Sequence, residues 1–302
     1  SKGLEGKELA EMGDMAEAGV VAFSDDGHYV ENAAFMRRAL EYSSMFNKMV
    51  IDHAEDITLT KNGHMHEGIV SYELGVIGRP AVAEDLAVAR DILLSEMTGG
   101  HIHIAHVSSK NTVDMVRRAK AKGLNVTCEV TSQHLSFTDE YLREYNPAFK
   151  MAPPIRSEDH RQALLEGLKD GTIDAIITDH APHAYEEKDH EFCCAPNGFS
   201  GLETSLAAVI TNAYGPDKLS IDQVVYYMST RPAELMHLDA GVLEVGKPAD
   251  ITVFSTTEKW TVDRNKFYTK GKVSPFDGMT VTGKAKLTVV DGKIVMKEGV
   301  VL

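Results

Sequence analysis

Long apolar runs are missing from this sequence. No stretch approaches the 18 or so residues that a membrane-spanning helix needs, so no membrane span is expected. Basic charge is also in short supply: 31 Lys and Arg stand against 45 Asp and Glu, for a net charge of −14. Nucleic acid is therefore excluded as a partner, because phosphate binding needs a basic face. Cysteine is scarce. Cys128, Cys193 and Cys194 are the only three, two of them adjacent. They form neither a disulfide framework nor the CxxC spacing of a zinc ribbon, which fits a reducing cytoplasm. The N-terminal stretch SKGLEGKELAEMGDMAEAG has no apolar core of a signal peptide.

What is present is ample for a large core, with 302 residues of which 43% are hydrophobic. The pattern alternates. Short apolar runs at about 20–24, 49–52, 102–106, 125–130 and 173–178 read as buried parallel strands. Helical spacing fills 32–46, where Ala33, Met36, Ala39, Leu40 and Met45 share a broad face, and recurs at 80–99, 110–123 and 157–171. Gly123 is placed to end its helix and Ser157 to cap one. Further helices are expected in GLETSLAAVITNAYG and SIDQVVYYMSTRPAELM. Strand, polar tip and helix, repeated five times, predict an α/β fold of the (β/α)8 TIM-like barrel type, with chemistry at the C-terminal strand ends. Eight units make a complete barrel and five are counted, so N-terminal strands are expected to be missing. After about residue 240 the texture changes to alternating strands, with a hairpin signal at DGK, 291–293. The expected division is a partial barrel over 1–240 and a small β domain, completing a β-sandwich, over 241–302.

The strand tips offer Asp25 and Asp26, then Asp52 and His53, then His106, then Asp179 with His180 and His183. Carboxylates and imidazoles delivered from separate strands to one end suit Zn²⁺ or a similar divalent ion. Two HxH patterns, His64/His66 and His101/His103, are set aside. The first pair lies in a Gly-flanked loop where solvated histidine is expected. The second, by strand alternation, is expected to face the helix layer, opposite to residues 102, 104 and 106. The charge run EEKDHE, 186–191, reads as the solvated face of a loop.

VAFSDDG, VIDHAED, HIAHVSS, FKMAPPIRS, TDHAPHAYEEK, GLET and PADITVF…SPFDG together resemble a bacterial dihydroorotase of the amidohydrolase superfamily, the type with aspartate in place of a carboxylated lysine. The resemblance covers essentially the whole chain, apart from the family's N-terminal HxH region. It implies one or two zinc ions, with Asp26 bridging, His53 and His106 as ligands, and Asp179 as both ligand and general base. It implies substrate contacts from His183, from the backbone of Asn197 and Gly198, and at Ala152. There the family usually has asparagine, and Ala152 offers no side-chain hydrogen bond. Gln133 likewise stands where an imidazole is usual. The implied reaction is reversible cyclisation of N-carbamoyl-L-aspartate to L-dihydroorotate, a small-molecule activity of the cytoplasm. A homodimer and a companion N-terminal fragment are compatible with it. Two other readings stay open: another cyclic-amide hydrolase, such as an allantoinase or hydantoinase, expected to carry a lysine near Asp26 where FSDDG has none, and an inactive homologue serving as a scaffold subunit.

Overall fold

The structure is a computed structural model and describes residues 1–302. It consists of two compact units, Ser1–Glu144 with Ala152–Asp174, and Tyr145–Met151 with Ala175–Leu302. The antiparallel strands expected after residue 240 begin at Ile251.

In the first unit, the strands Ala22–Ser24, Met49–Asp52, Ile102–Ile104 and Val126–Thr131 lie side by side in that order, all parallel. Val50 pairs with Phe23 on one side and Ile102 on the other, and Ile102 pairs with Val126. All four side chains are buried. Parallel neighbours that follow each other in sequence need a crossover, and helices supply it. Ala33–Ser44, Val82–Thr98 and Lys110–Ala121 form between strands, and Glu158–Lys169 follows the last. Asn32 caps the first of these by accepting from the Phe35 N–H at 3.1 Å. Met36, Ala39 and Leu40 are buried as their spacing requires. Met45 is not: the helix stops at Ser44 and leaves it 74% exposed. Ser157 occupies the N-cap position, but its hydroxyl bonds to Asp159 and not to a helix N–H.

The second unit opens with the strand Ala175–Ile177. Its C-terminal part is a four-stranded antiparallel sheet, in the spatial order Val300–Val301, Lys293–Lys297, Thr280–Val290, Ile251–Thr261. The hairpin at 291–293 forms as its sequence demands. Asp291 and Gly292 both take positive φ, 49° and 73°, the two-residue turn whose twist matches antiparallel strands. The helix Ser205–Asn212 is tied to this sheet by Thr211, whose hydroxyl accepts from the Thr282 N–H at 2.8 Å. The stretch 220–236 is broken into Ile221–Val225, a wider turn over Tyr226–Thr230, and Arg231–Leu235. Pro232 has no N–H to continue the regular ladder, which is the physical reason for the wider turn.

Candidate metal centre and active site

Asp26, His53 and His106 come from three different strand ends of the first unit, and their ligand atoms lie within 4.8 Å of one another. His53 Nδ1 stands 2.8 Å from His106 Nε2, with the rings edge to face. Asp26 Oδ1 is 3.8 Å from the first nitrogen and 4.0 Å from the second. A point equidistant from the three atoms lies about 2.1 Å from each, which is the bond length of zinc to nitrogen and oxygen. Burial, with His106, Arg79 and His28 adding to it, holds the His53 imidazole well below its usual range. It is therefore neutral near pH 7, the form that binds a metal. The donor set thus fits a divalent ion. Asp25, the alternative carboxylate, is buried and accepts from the Ser1 amine at 2.5 Å, so Asp26 is the one that meets the imidazoles.

His106 takes φ 34°, a left-handed backbone that residues with a Cβ seldom adopt. Such strain is maintained only where surrounding contacts over-determine it. The contacts are present. Glu84, wholly buried, accepts from the Ser108 and Ser109 N–H groups at 2.9 Å each, and Arg156 Nη2 lies 3.3 Å from it. Arg156 Nε in turn donates to Ser108 Oγ at 2.7 Å. Burial pushes the Glu84 carboxyl up, but Arg156 and the serine donors outweigh it and hold the group ionised, below its usual range. The loop just past His106 is thereby nailed down.

The alternation that placed His106 on the face of 102 and 104 does not extend to it, because the strand ends at Ile104 and His106 has left the extended conformation. His101 Nε2 and His103 Nδ1 each meet Thr127 Oγ1 at 2.8 Å, and His103 Nε2 lies 3.1 Å from Glu129 Oε2. The Glu129 carboxylate also faces the His106 N–H. The expectation that His101 and His103 face a helix layer gives way to this polar cluster between adjacent strands. His66 also departs from expectation. Met65–His66 is a short strand paired with Gly78–Arg79, and His66 is buried with Nδ1 3.3 Å from Arg156 Nη1. Gln133 is fully buried beside Ser132, whose hydroxyl donates to it at 2.7 Å. Ala152 is half-buried.

The remaining candidates belong to the second unit. Asp179 lies two residues past the strand Ala175–Ile177 and, like His106, has a positive φ, 42°. His180 Nδ1 accepts from the Gly201 and Leu202 N–H groups at 3.2 Å, so it anchors the GLET turn. His183 Nε2 is 2.7 Å from the Asn197 carbonyl oxygen, and its Nδ1 is 3.3 Å from Glu187 Oε2. Gly198 is at φ 106°, with space for a Cβ already taken by Ala181 Cβ at 2.7 Å and Ala181 O at 2.9 Å. Lys188, read from its charge run as solvated, is instead among the buried residues.

Comparison with known proteins places the chain. The amidohydrolase family matches residues 4–295. A dihydroorotase of Syntrophus aciditrophicus is 48% identical over 298 residues, 99% of this chain and 70% of that protein. One of Acetivibrio thermocellus is 47% identical over 302 residues, 100% of this chain and 71% of that protein. Among solved structures, the L-hydantoinase of Arthrobacter aurescens superposes with a TM-score of 0.85 at 31% identity, over 97% of this chain and 68% of that one. The α/β barrel class expected from the strand–helix repeat is thus the fold, with the small antiparallel sheet as its appendage. A family match over nearly the whole length, and near-half identity to the dihydroorotases, establish that this chain belongs to the amidohydrolase family and stands with its dihydroorotases.

Proposed function

We propose that the chain carries out the dihydroorotase reaction, the reversible closure of N-carbamoyl-L-aspartate to L-dihydroorotate, with zinc held by Asp26, His53 and His106. The observation that carries the reading is the triangle of one carboxylate and two imidazoles, spaced so that all three reach one ion at about 2.1 Å. Two nitrogens and an oxygen at that distance suit zinc. When bound, such an ion supplies Lewis-acid polarisation of the ring carbonyl and acidifies water.

The chain's own residues do the rest. Asp179 accepts the proton of the attacking water in the hydrolytic direction and delivers it to the departing ring nitrogen. A carboxylate suits both steps, since it starts ionised and returns to that state. Its position two residues past a strand end keeps it close to a rigid element. His183 binds the substrate, exchanging its contact with the Asn197 carbonyl when it does so. The Asn197–Gly198 backbone contacts the pyrimidine ring, and Ala152, where the family usually has asparagine, offers the substrate no side-chain hydrogen bond. Three unpaired cysteines support a cytoplasmic setting. The test is ring opening of dihydroorotate by the zinc-loaded chain, followed by ultraviolet absorbance. Turnover that is lost in Asp26→Asn and His106→Ala is expected. A folded, zinc-loaded chain that opens hydantoin or allantoin but not dihydroorotate overturns the assignment.

A further inference from the structure

Two lysines hold the carbonyls of the loop that follows Asp179. Lys188 ends a four-residue helical turn, Tyr185–Lys188, and is 2% exposed. Its Nζ donates to the carbonyl oxygens of Pro196 at 2.8 Å, Gly198 at 2.9 Å and Lys150 at 3.4 Å. An ammonium has three N–H donors, and all three are used on backbone. The Lys150 carbonyl also accepts from the Gly198 N–H at 2.9 Å. Lys150 Nζ reaches the other half of the same loop, the carbonyls of Phe192 at 2.8 Å and Cys193 at 3.0 Å. No carboxylate neutralises Lys188. Burial, with Lys150 beside it, pulls its ammonium down to about 8. A buried cation with no counter-ion is costly, and a hydrophobic side chain would fill the space without that cost. Its presence is explained by what the carbonyls do.

We propose that Lys188 is a positioning residue for substrate binding: by holding the Pro196 and Gly198 carbonyls it keeps the Asn197–Gly198 backbone in its substrate-facing arrangement. The assignment rests on the reading of this loop as the substrate contact. Three consecutive carbonyls, 196 to 198, are bound from the 183–188 segment. The middle one belongs to His183, which is also the side chain assigned to substrate. When His183 turns to substrate, the Asn197 carbonyl is released, and the two flanking bonds from Lys188 are what stop the loop from relaxing. A loop ordered in advance loses less freedom on binding, so the benefit appears in affinity more than in the chemical step.

The experiment compares the zinc-loaded wild-type chain with Lys188→Met and Lys188→Arg, reading kcat and KM for dihydroorotate together with amide hydrogen exchange over 189–199. Lys188→Met keeps an apolar stem and removes every donor. It is expected to raise KM at least tenfold, change kcat less than threefold, and speed exchange over 189–199 at least tenfold. Lys188→Arg, which restores donors to the carbonyls, is expected to recover part of both effects. A folded Lys188→Met with wild-type KM, or with wild-type exchange over 189–199, overturns the proposal. Should that variant not fold, exchange in the ligand-free wild type decides: protection at least a hundredfold over an unstructured peptide supports pre-ordering, and exchange at the unstructured rate overturns it. A wild-type chain without turnover would count against the functional reading alone, since the exchange comparison still tests whether Lys188 orders the loop.

Discussion

At the scale of single residues, three side chains carry the sharpest expectations. Asp179→Asn keeps the shape and one oxygen but removes the proposed base, so turnover should fall by about 10²–10⁴, the range for general acid–base catalysis. His183→Ala should mainly raise KM, because it removes the proposed substrate contact and leaves the proposed base in place. Steady-state kinetics on both variants separate the roles; near-normal turnover in Asp179→Asn would make that carboxylate structural. The second expectation concerns acid. Burial, reinforced by Arg156, pulls His66 down to about 3. Its ring nitrogen accepts from the Arg156 guanidinium, and a proton there would set a second positive charge against that one. The unfolded chain takes up that proton near pH 6.5 and the folded chain does not. Stability from this group is therefore complete above pH 6.5 and is lost as pH falls toward 3, at about 1.4 kcal/mol per pH unit. His66→Asn keeps an acceptor and cannot titrate. Urea unfolding at pH 7, 6, 5 and 4 should show the variant losing less stability than the wild type. Parallel slopes would remove His66 from the acid response.

At the scale of elements, the turns after the strands are the parts with most at stake. Glu84 sits on the Val82–Thr98 helix yet fixes the Ser108–Ser109 turn, which starts the Lys110–Ala121 helix and immediately follows His106. Glu84→Gln leaves Arg156 buried without its anion and places an amide against the N–H groups, so a loss of about 3–5 kcal/mol is expected. Denaturant unfolding measures it, and zinc affinity should fall in step because the strained His106 backbone loses its support. A variant with weakened folding but wild-type zinc affinity would show that the turn does not set the ligand. The Asn197–Gly198 turn is the counterpart in the second unit. A Cβ at Gly198 collides with Ala181 and with the positive φ of 106°. Gly198→Ala should cost about 1–3 kcal/mol and move the loop that Lys188 and His183 hold.

At the scale of the molecule, the metal is expected to act as a folding ligand as well as a reagent. The three ligands come from strand ends far apart in sequence and form a site only when the parallel sheet is assembled. An ion that binds only the folded form stabilises it by about 2.7 kcal/mol when free metal is a hundredfold above Kd. Thermal unfolding with and without zinc should show a clear rise in Tm. The rise should vanish in the His53→Ala, His106→Ala double variant. An equal rise in that variant would place the binding elsewhere.

The sequence by itself determined the alternation of strand and helix, the acidic and imidazole residues at the strand tips, and the hairpin at Asp291–Gly292. These depend on local periodicity and on turn chemistry, which neighbouring residues settle among themselves. The roles expected of His53, His106 and Asp179 came from the resemblance of their motifs to the family, not from periodicity. Tertiary structure alone decided what depends on residues distant in the chain. It brought the two imidazoles to Asp26, the carboxylate that the resemblance already favoured, and left Asp25 buried against Ser1. It turned His106 and Asp179 out of the extended conformation, which no alternation rule anticipates. It gave His66 a guanidinium for a neighbour, and His101 and His103 a threonine of the next strand. It also buried Lys188, which sits in a charge run that reads as solvated. A lysine is drawn inside only when enough acceptors converge on it, and the carbonyls that do so come from residues 150, 196 and 198, positions that meet only once the chain has folded.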